Sequence, residues 1–186
     1  DESEVLTKAM NLFWKQGYAA TSVQDLVSHL GINRASLYDT FGDKEQLFKK
    51  SFELYRKNNI EGLKQFFDTQ NNVREGFARL FENAIEEAIN DEDRKGCFVV
   101  NTTTELVPND DSIAVTLEDN KSDFENIFFQ YLQKGKDVGQ ITTNKDFRSI
   151  SSLFYTIYNG LRVVSIVRPI MIKLRVSVEV ALSLLD

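Results

Sequence analysis

Cysteine, histidine, tryptophan and proline are nearly missing from this chain: one Cys, one His, one Trp and two Pro in 186 residues. A single cysteine, Cys97, excludes an internal disulfide and any cysteine-cluster metal site, and it fits a reducing cytoplasm. His29 has neither a second histidine nor a nearby cysteine to share an ion with, so no metal is expected. No stretch approaches the roughly 20 uninterrupted apolar residues that span a bilayer. No basic segment leads into an apolar core in the manner of a secretory signal. No membrane association is expected, and the cytoplasm is the expected location. Catalytic patterns are missing too: there is no Ser-His-Asp set, no phosphate-cradling glycine loop and no paired-histidine motif. No cofactor and no enzymatic activity are expected.

Basic excess is also lacking. The net charge is −6, and the first 56 residues hold seven Lys/Arg against eight Asp/Glu. No basic stripe marks a strong nonspecific binder of nucleic acid. Internal repeats, low-complexity tracts and strand-hairpin patterns are absent.

What is present is helical periodicity, giving an all-α chain of about nine helices. Val5, Ala9, Leu12 and Phe13 mark a first helix from about Glu2 to Gln16, stopped by Gly17. Helices follow with apolar positions at Leu47, Phe48, Phe52 and Tyr55, then at Phe77, Leu80, Phe81, Ala84 and Ile85. Cys97 to Val107 is read as a short helix despite its β-branched run. Pro108 opens a turn that could start the next helix, which ends near Lys136. Ile150, Leu153, Phe154, Ile157, Leu161 and Val164 give a strongly periodic helix ending near Arg168. Pro169 then breaks it or starts the last one.

The most informative stretch runs from Gly17 to Phe48. Ser22 can N-cap a helix with Asp25 completing a capping box, and Val23, Leu26, Val27 and Leu30 share one face. Gly31 suits a left-handed C-cap. Asn33 can then cap a second helix from Arg34 to about Thr40, whose Leu37 and Phe41 face inward. Its outward residues, Arg34, Ala35, Ser36, Tyr38 and Thr40, suit a surface that lies against something, with a DNA major groove the obvious candidate. Asp43 can cap the helix that follows.

This block resembles the DNA-binding domain of the tetracycline-repressor (TetR) family of transcriptional regulators. The matching residues are Gly17-Tyr18, Thr21-Ser22-Val23, Asp25-Leu26, Leu30-Gly31-Ile32, Ser36-Leu37-Tyr38, Phe41, Lys44-Glu45 and Leu47-Phe48. The resemblance implies an N-terminal helix-turn-helix DNA-binding domain of three helices over 1–48. A helical effector-binding and dimerisation domain over 49–186 would follow. It further implies a homodimeric repressor that binds a palindromic operator in double-stranded DNA and is released by a small-molecule effector. DNA contacts are expected from Ser22, Gln24, Arg34, Ala35, Ser36, Tyr38, Thr40 and Lys44. Family members often carry a basic arm ahead of the first helix, which here would lie upstream of Asp1.

Beyond the head, ten of the fourteen phenylalanines lie from Phe66 onward. Such rings usually make core, yet rings with a few polar groups also line pockets for apolar or aromatic ligands. Candidate effector residues are Phe66, Phe81, Phe98, Asn101, Thr102, Glu105, Phe128, Tyr155, Tyr158 and Asn159. Cys97, at a helix start near Arg94 and Lys95, is a candidate sensor of electrophiles or oxidants, weighed against a buried small hydrophobe. The last two helices are expected to form the dimer face, ringed by Arg162, Arg168, Lys173 and Arg175. The alternative function is a helical small-molecule carrier or interaction module without operator binding.

Overall fold

The computed structural model describes residues 2–167 and 170–186. Among them are nine α-helices and no strand: α1 (Glu2–Gln16), α2 (Val23–Leu30), α3 (Arg34–Phe41), α4 (Lys44–Asp68), α5 (Val73–Asn90), α6 (Phe98–Leu106), α7 (Asp111–Asp137), α8 (Phe147–Val167) and α9 (Met171–Leu182). Pro108 lies in a separate 3-10 turn, Val107–Asn109, and α7 starts after it with Asp110 as its cap. Pro108 is therefore not the first position of α7. A carboxylate that accepts the Ser112 and Ile113 amides sets that boundary instead. The expectations attached to Arg168 and Pro169 lie outside the described residues.

Each early boundary follows from local chemistry. Ser22 Oγ accepts the Asp25 amide at 3.0 Å while Asp25 accepts the Ser22 amide at 2.8 Å, the reciprocal pair of a capping box. Gly31 ends α2 at φ +68°, a conformation costly to any residue with a Cβ. Asn33 caps α3 through the Ser36 amide and Asp43 caps α4 through the Gln46 amide, both at 2.8 Å.

Packing divides into two apolar clusters. The larger joins α4, α5, α7, α8 and α9 around Phe77, Phe81, Phe128, Leu132 and Phe154. The second holds the three head helices together through Phe13, Leu26, Leu37 and Phe48, and it continues into Phe52 and Tyr55 of α4. Phe98 of α6 belongs to this second cluster and meets Trp14, Phe48, Phe52 and Tyr55 at ring separations of 5.3–6.3 Å. Edge-on aromatic pairs each add about 0.5–1.5 kcal/mol beyond their buried area, so α6 is held firmly to the head.

Candidate DNA interface and effector clefts

Leu37 and Phe41 anchor α3 in the head core, and this orientation turns the rest of the helix outward. Arg34, Ala35, Ser36 and Thr40 are exposed, and Tyr38 keeps 40% of its surface free. Arg34 makes no ion pair among the described residues, so its guanidinium is available at the first turn of the helix. Gln24 is exposed on α2, and Ser22 is exposed with its hydroxyl committed to the cap. An α-helix with small residues and a free guanidinium near its N-terminus is the shape that enters a major groove.

Lys44, also expected at the DNA, is engaged within the head. Its ammonium donates to the carbonyls of Tyr18 and Thr21, each at 2.9 Å, and lies 4.3 Å from the Tyr18 ring centre. Two of its three donors therefore hold the turn between α1 and α2.

The candidate effector residues separate into three groups. Phe81, Phe98 and Phe128 are core: each is at most 2% exposed and spends its faces on neighbouring rings. Asn101 and Thr102 line neither cleft. Asn101 donates to the Lys95 carbonyl at 2.6 Å, and Thr102 is buried with an unpartnered hydroxyl. Glu105 accepts the backbone amides of Tyr18 at 3.1 Å and Ala19 at 2.7 Å, and it borders a cleft of about 410 Å³ at the junction with the head, beside Phe48 and Ile113.

Phe66, Tyr155, Tyr158 and Asn159 do border open space. Phe66 and Tyr158 line a cleft of about 210 Å³ between α4, α5, α7 and α8, together with Asn58, Asn59, Asn83, Glu87 and Arg162. Tyr155 and Asn159 line a larger cleft of about 480 Å³ between α6, α7 and α8. Its other walls are Val99, Val100, Thr103, Thr104, Val107, Ala114, Leu117, Glu118, Lys121 and Thr156. The hydroxyls of Thr103, Thr104 and Thr156 bond to carbonyls of their own helices, so these residues present mainly methyl groups. Neighbouring amides at Asn58 and Asn59, poor helix formers inside a long helix, were the one sequence sign of the smaller cleft. Nothing in the apolar spacing distinguished the threonines.

Several polar groups that line the clefts are bonded. Arg162 donates to the Tyr158 hydroxyl at 3.0 Å and to Glu87 at 3.2 Å. Burial pushes the Tyr158 phenol up to about 12, with the Arg162 charge acting the other way. The Tyr155 hydroxyl accepts from Asn120 at 3.5 Å, and burial raises its pKa as well.

Cys97 is 3% exposed at the N-cap of α6, 4.0 Å from the Asn159 Oδ1. The cations expected to activate it point elsewhere: Lys95 lies over the Trp14 ring at 4.6 Å and Arg94 is exposed. No group of three His, Cys, Asp or Glu is arranged to hold a metal among the described residues.

Residues 5–50 match the family model for bacterial regulatory proteins of the tetR family. An uncharacterized HTH-type transcriptional regulator of Bacillus subtilis strain 168, YezE, is 30% identical over 187 aligned positions, covering this whole chain and 96% of that protein. The chain belongs to the TetR family. It is accordingly a DNA-binding transcriptional regulator. Another TetR-type relative, the HTH-type transcriptional repressor ComR of Escherichia coli strain K12, is 32% identical over 88% of this chain and 78% of its own length. Among solved TetR structures, a cysteine mutant of the regulator CifR complexed with 26bp double-strand operator DNA superposes with a TM-score of 0.85. It is 26% identical, over all of this chain and 97% of that one.

Proposed function

We propose that this TetR regulator is a cytoplasmic, homodimeric repressor that binds a palindromic operator and is released by a small apolar or aromatic effector. The observation that carries the reading is the outward face of α3, where Arg34, Ala35, Ser36, Tyr38 and Thr40 stand free on a helix anchored by Leu37 and Phe41. Arg34 pairs with guanine O6 and N7, and Ala35 lies against a thymine methyl. Ser36, Tyr38 and Thr40 meet neighbouring bases and phosphates, with Ser22 and Gln24 at the groove edge. The remaining donor of Lys44 reaches a phosphate at the start of α4. In this division 1–48 is the DNA-binding unit and 49–186 the effector and dimer unit.

Two further features support the reading. Exposed Val163, Val164 and Val167 on α8, with Ile172, Val176 and Val180 on α9, leave an apolar surface of the kind that a second copy covers. α8 is long and apolar enough to cross a membrane by length and composition. One of its faces nevertheless packs on α5 and α7, and it carries Ser151, Asn159 and Arg162. Arg162 and Arg175 bond to Glu87 and Glu82 of α5, so neither rings that surface as a free cation. The 480 Å³ cleft, apolar apart from Tyr155, Asn159 and a Glu118–Lys121 rim, fits an apolar effector with one or two polar atoms.

Selection from random duplex DNA tests the reading. A two-fold palindrome is the expected product, and a monomer at micromolar concentration by light scattering, with no sequence enriched, would overturn it.

A further inference from the structure

The turn that joins α1 to α2 is gripped from two sides by opposite charges. Lys44, from inside the head, takes the carbonyls of Tyr18 and Thr21. Glu105, from 86 residues further along, takes the amides of Tyr18 and Ala19, one on each carboxylate oxygen. Hydrogen bonds to an ionised acceptor are roughly twice as strong as neutral ones. The approach is close: a side chain at Gly17, whose φ is +84°, would meet the Glu105 carboxylate at 3.0 Å.

Glu105 sits near the end of a nine-residue helix, and the preceding turn of that helix is a wall of the larger cleft. Val99, Val100, Thr103 and Thr104 of α6 face it. A helix this short moves as one piece, so anything that displaces the cleft wall displaces the carboxylate. A second tie lies at the other end of α6, where Trp14 donates to the Gly96 carbonyl at 2.9 Å and Lys15 pairs with Asp93 at 2.7 Å. That tie holds the end of α1 itself. Of these two ties to α6, the Glu105 one is the tie that bonds the backbone leading into α2, ahead of the recognition helix.

We propose that Glu105 is the residue that positions the DNA head, and that filling the α6–α7–α8 cleft loosens the head by withdrawing this carboxylate. The second half rests on the reading of that cleft as the effector site. The latched head is the operator-binding form. Release of the latch leaves each head folded and still joined to α6 through Phe98, but lets the α1–α2 turn shift, so the two recognition helices lose their fixed separation. Coupling between two sites in a protein is typically about 5–150-fold in affinity, and an effect of that order is expected of the latch.

The experiment uses the full chain and three variants: Glu105→Ala, Glu105→Gln, and Ala114→Trp, which fills the cleft with the protein's own side chain. Hydrogen exchange across residues 15–22 is read first. Faster exchange is expected in Glu105→Ala and in Ala114→Trp, with Glu105→Gln between Glu105→Ala and the parent because one acceptor remains. Operator affinity is then read against a series of spacer lengths between half-sites. Glu105→Ala should bind on the order of tenfold more weakly and lose the parent's preference for one spacing, which a simple loss of stability would not do. Ala114→Trp should weaken the parent and add little to Glu105→Ala, as expected for two changes acting through one contact.

Unchanged exchange or an unchanged spacing preference in Glu105→Ala would overturn the latch, and unchanged exchange in Ala114→Trp would overturn its link to the cleft. Effects of Ala114→Trp and Glu105→Ala that simply add would overturn its link to the cleft. The exchange measurement needs no DNA, so the latch stands or falls even if the parent selects no operator. That latter outcome would sink the operator reading instead. If Glu105→Ala does not fold, Glu105→Gln carries both measurements.

Discussion

Lys44 holds Tyr18 by two of its features at once: its ammonium donates to the Tyr18 carbonyl at 2.9 Å and lies over the same residue's ring at 4.3 Å from the centre. Because the Thr21 carbonyl shares that ammonium, one side chain fixes both ends of the turn. A hydrogen bond to a charged group contributes about 1.5–3 kcal/mol net, less where water reaches it, as it does here. Lys44→Ala should therefore lower stability by about 1–3 kcal/mol, roughly 2–4 °C in Tm per kcal/mol for a chain of this size. Operator affinity should fall alike for all sequences, with base preference kept. Thermal melts alongside a binding series on matched and mismatched sites check both halves. A shift in base preference would mean that Lys44 reads bases.

Arg34 offers the opposite pattern. It is exposed and unpaired among the described residues, so Arg34→Ala should leave the melting temperature within about 1–2 °C, as surface changes usually do. It should relax discrimination at one position in each half-site by about 1–3 kcal/mol. Competition binding with single-base variants of the selected operator measures this. Equal preference in parent and variant would place recognition elsewhere on α3.

The apolar surface of α8 and α9 predicts oligomeric state. Val176 is 58% exposed, so a charge there is tolerated by the lone chain and would be buried under the proposed second copy. Val176→Glu should give a folded monomer by light scattering, with specific DNA binding reduced at least tenfold because one recognition helix reads half a site. A dimer of undiminished stability would remove this surface from the interface.

Alkaline pH should unfold the protein earlier than an average helical domain. Burial holds the Tyr158 phenol at about 12, whereas an unfolded tyrosine titrates near about 10. Between these values the unfolded chain has released the proton and the folded one still binds it. The stabilising contribution is thus complete below about pH 10 and is lost as pH rises through 12. Tyr131, also pushed to about 12 by burial, adds to the same window. Tyr158→Phe should flatten the dependence of Tm on pH above 10, and an unchanged slope would mean that the phenol is solvated.

Much of the head was legible because its boundaries are written in local chemistry. The cap at Ser22 and Asp25, the left-handed Gly31, the cap at Asn33 and the cap at Asp43 each act within three or four residues. Inward Leu37 and Phe41 follow from the same periodicity. The cleft residues were harder, since which phenylalanines meet one another and which meet open space depends on helix packing. The size of Phe81 and Phe128 suggests ligand contact, yet both close the core. Polarity marks Glu105 as a pocket residue, and it does border the cleft beside the head, but its bonds to the turn are invisible in the sequence. No spacing rule could tie a carboxylate to two amides 86 and 87 residues away.

Phe98 completes the ring cluster of the head while sitting on a helix that belongs, by chain order, to the body. The head is therefore not a cassette. A chimera that grafts residues 2–48 onto another regulator's body would expose one side of Phe48 and leave the tail of α1 without its aromatic neighbour. To transplant the operator specificity of this chain, an engineer must carry over the α6 helix as well, or rebuild its equivalent in the host.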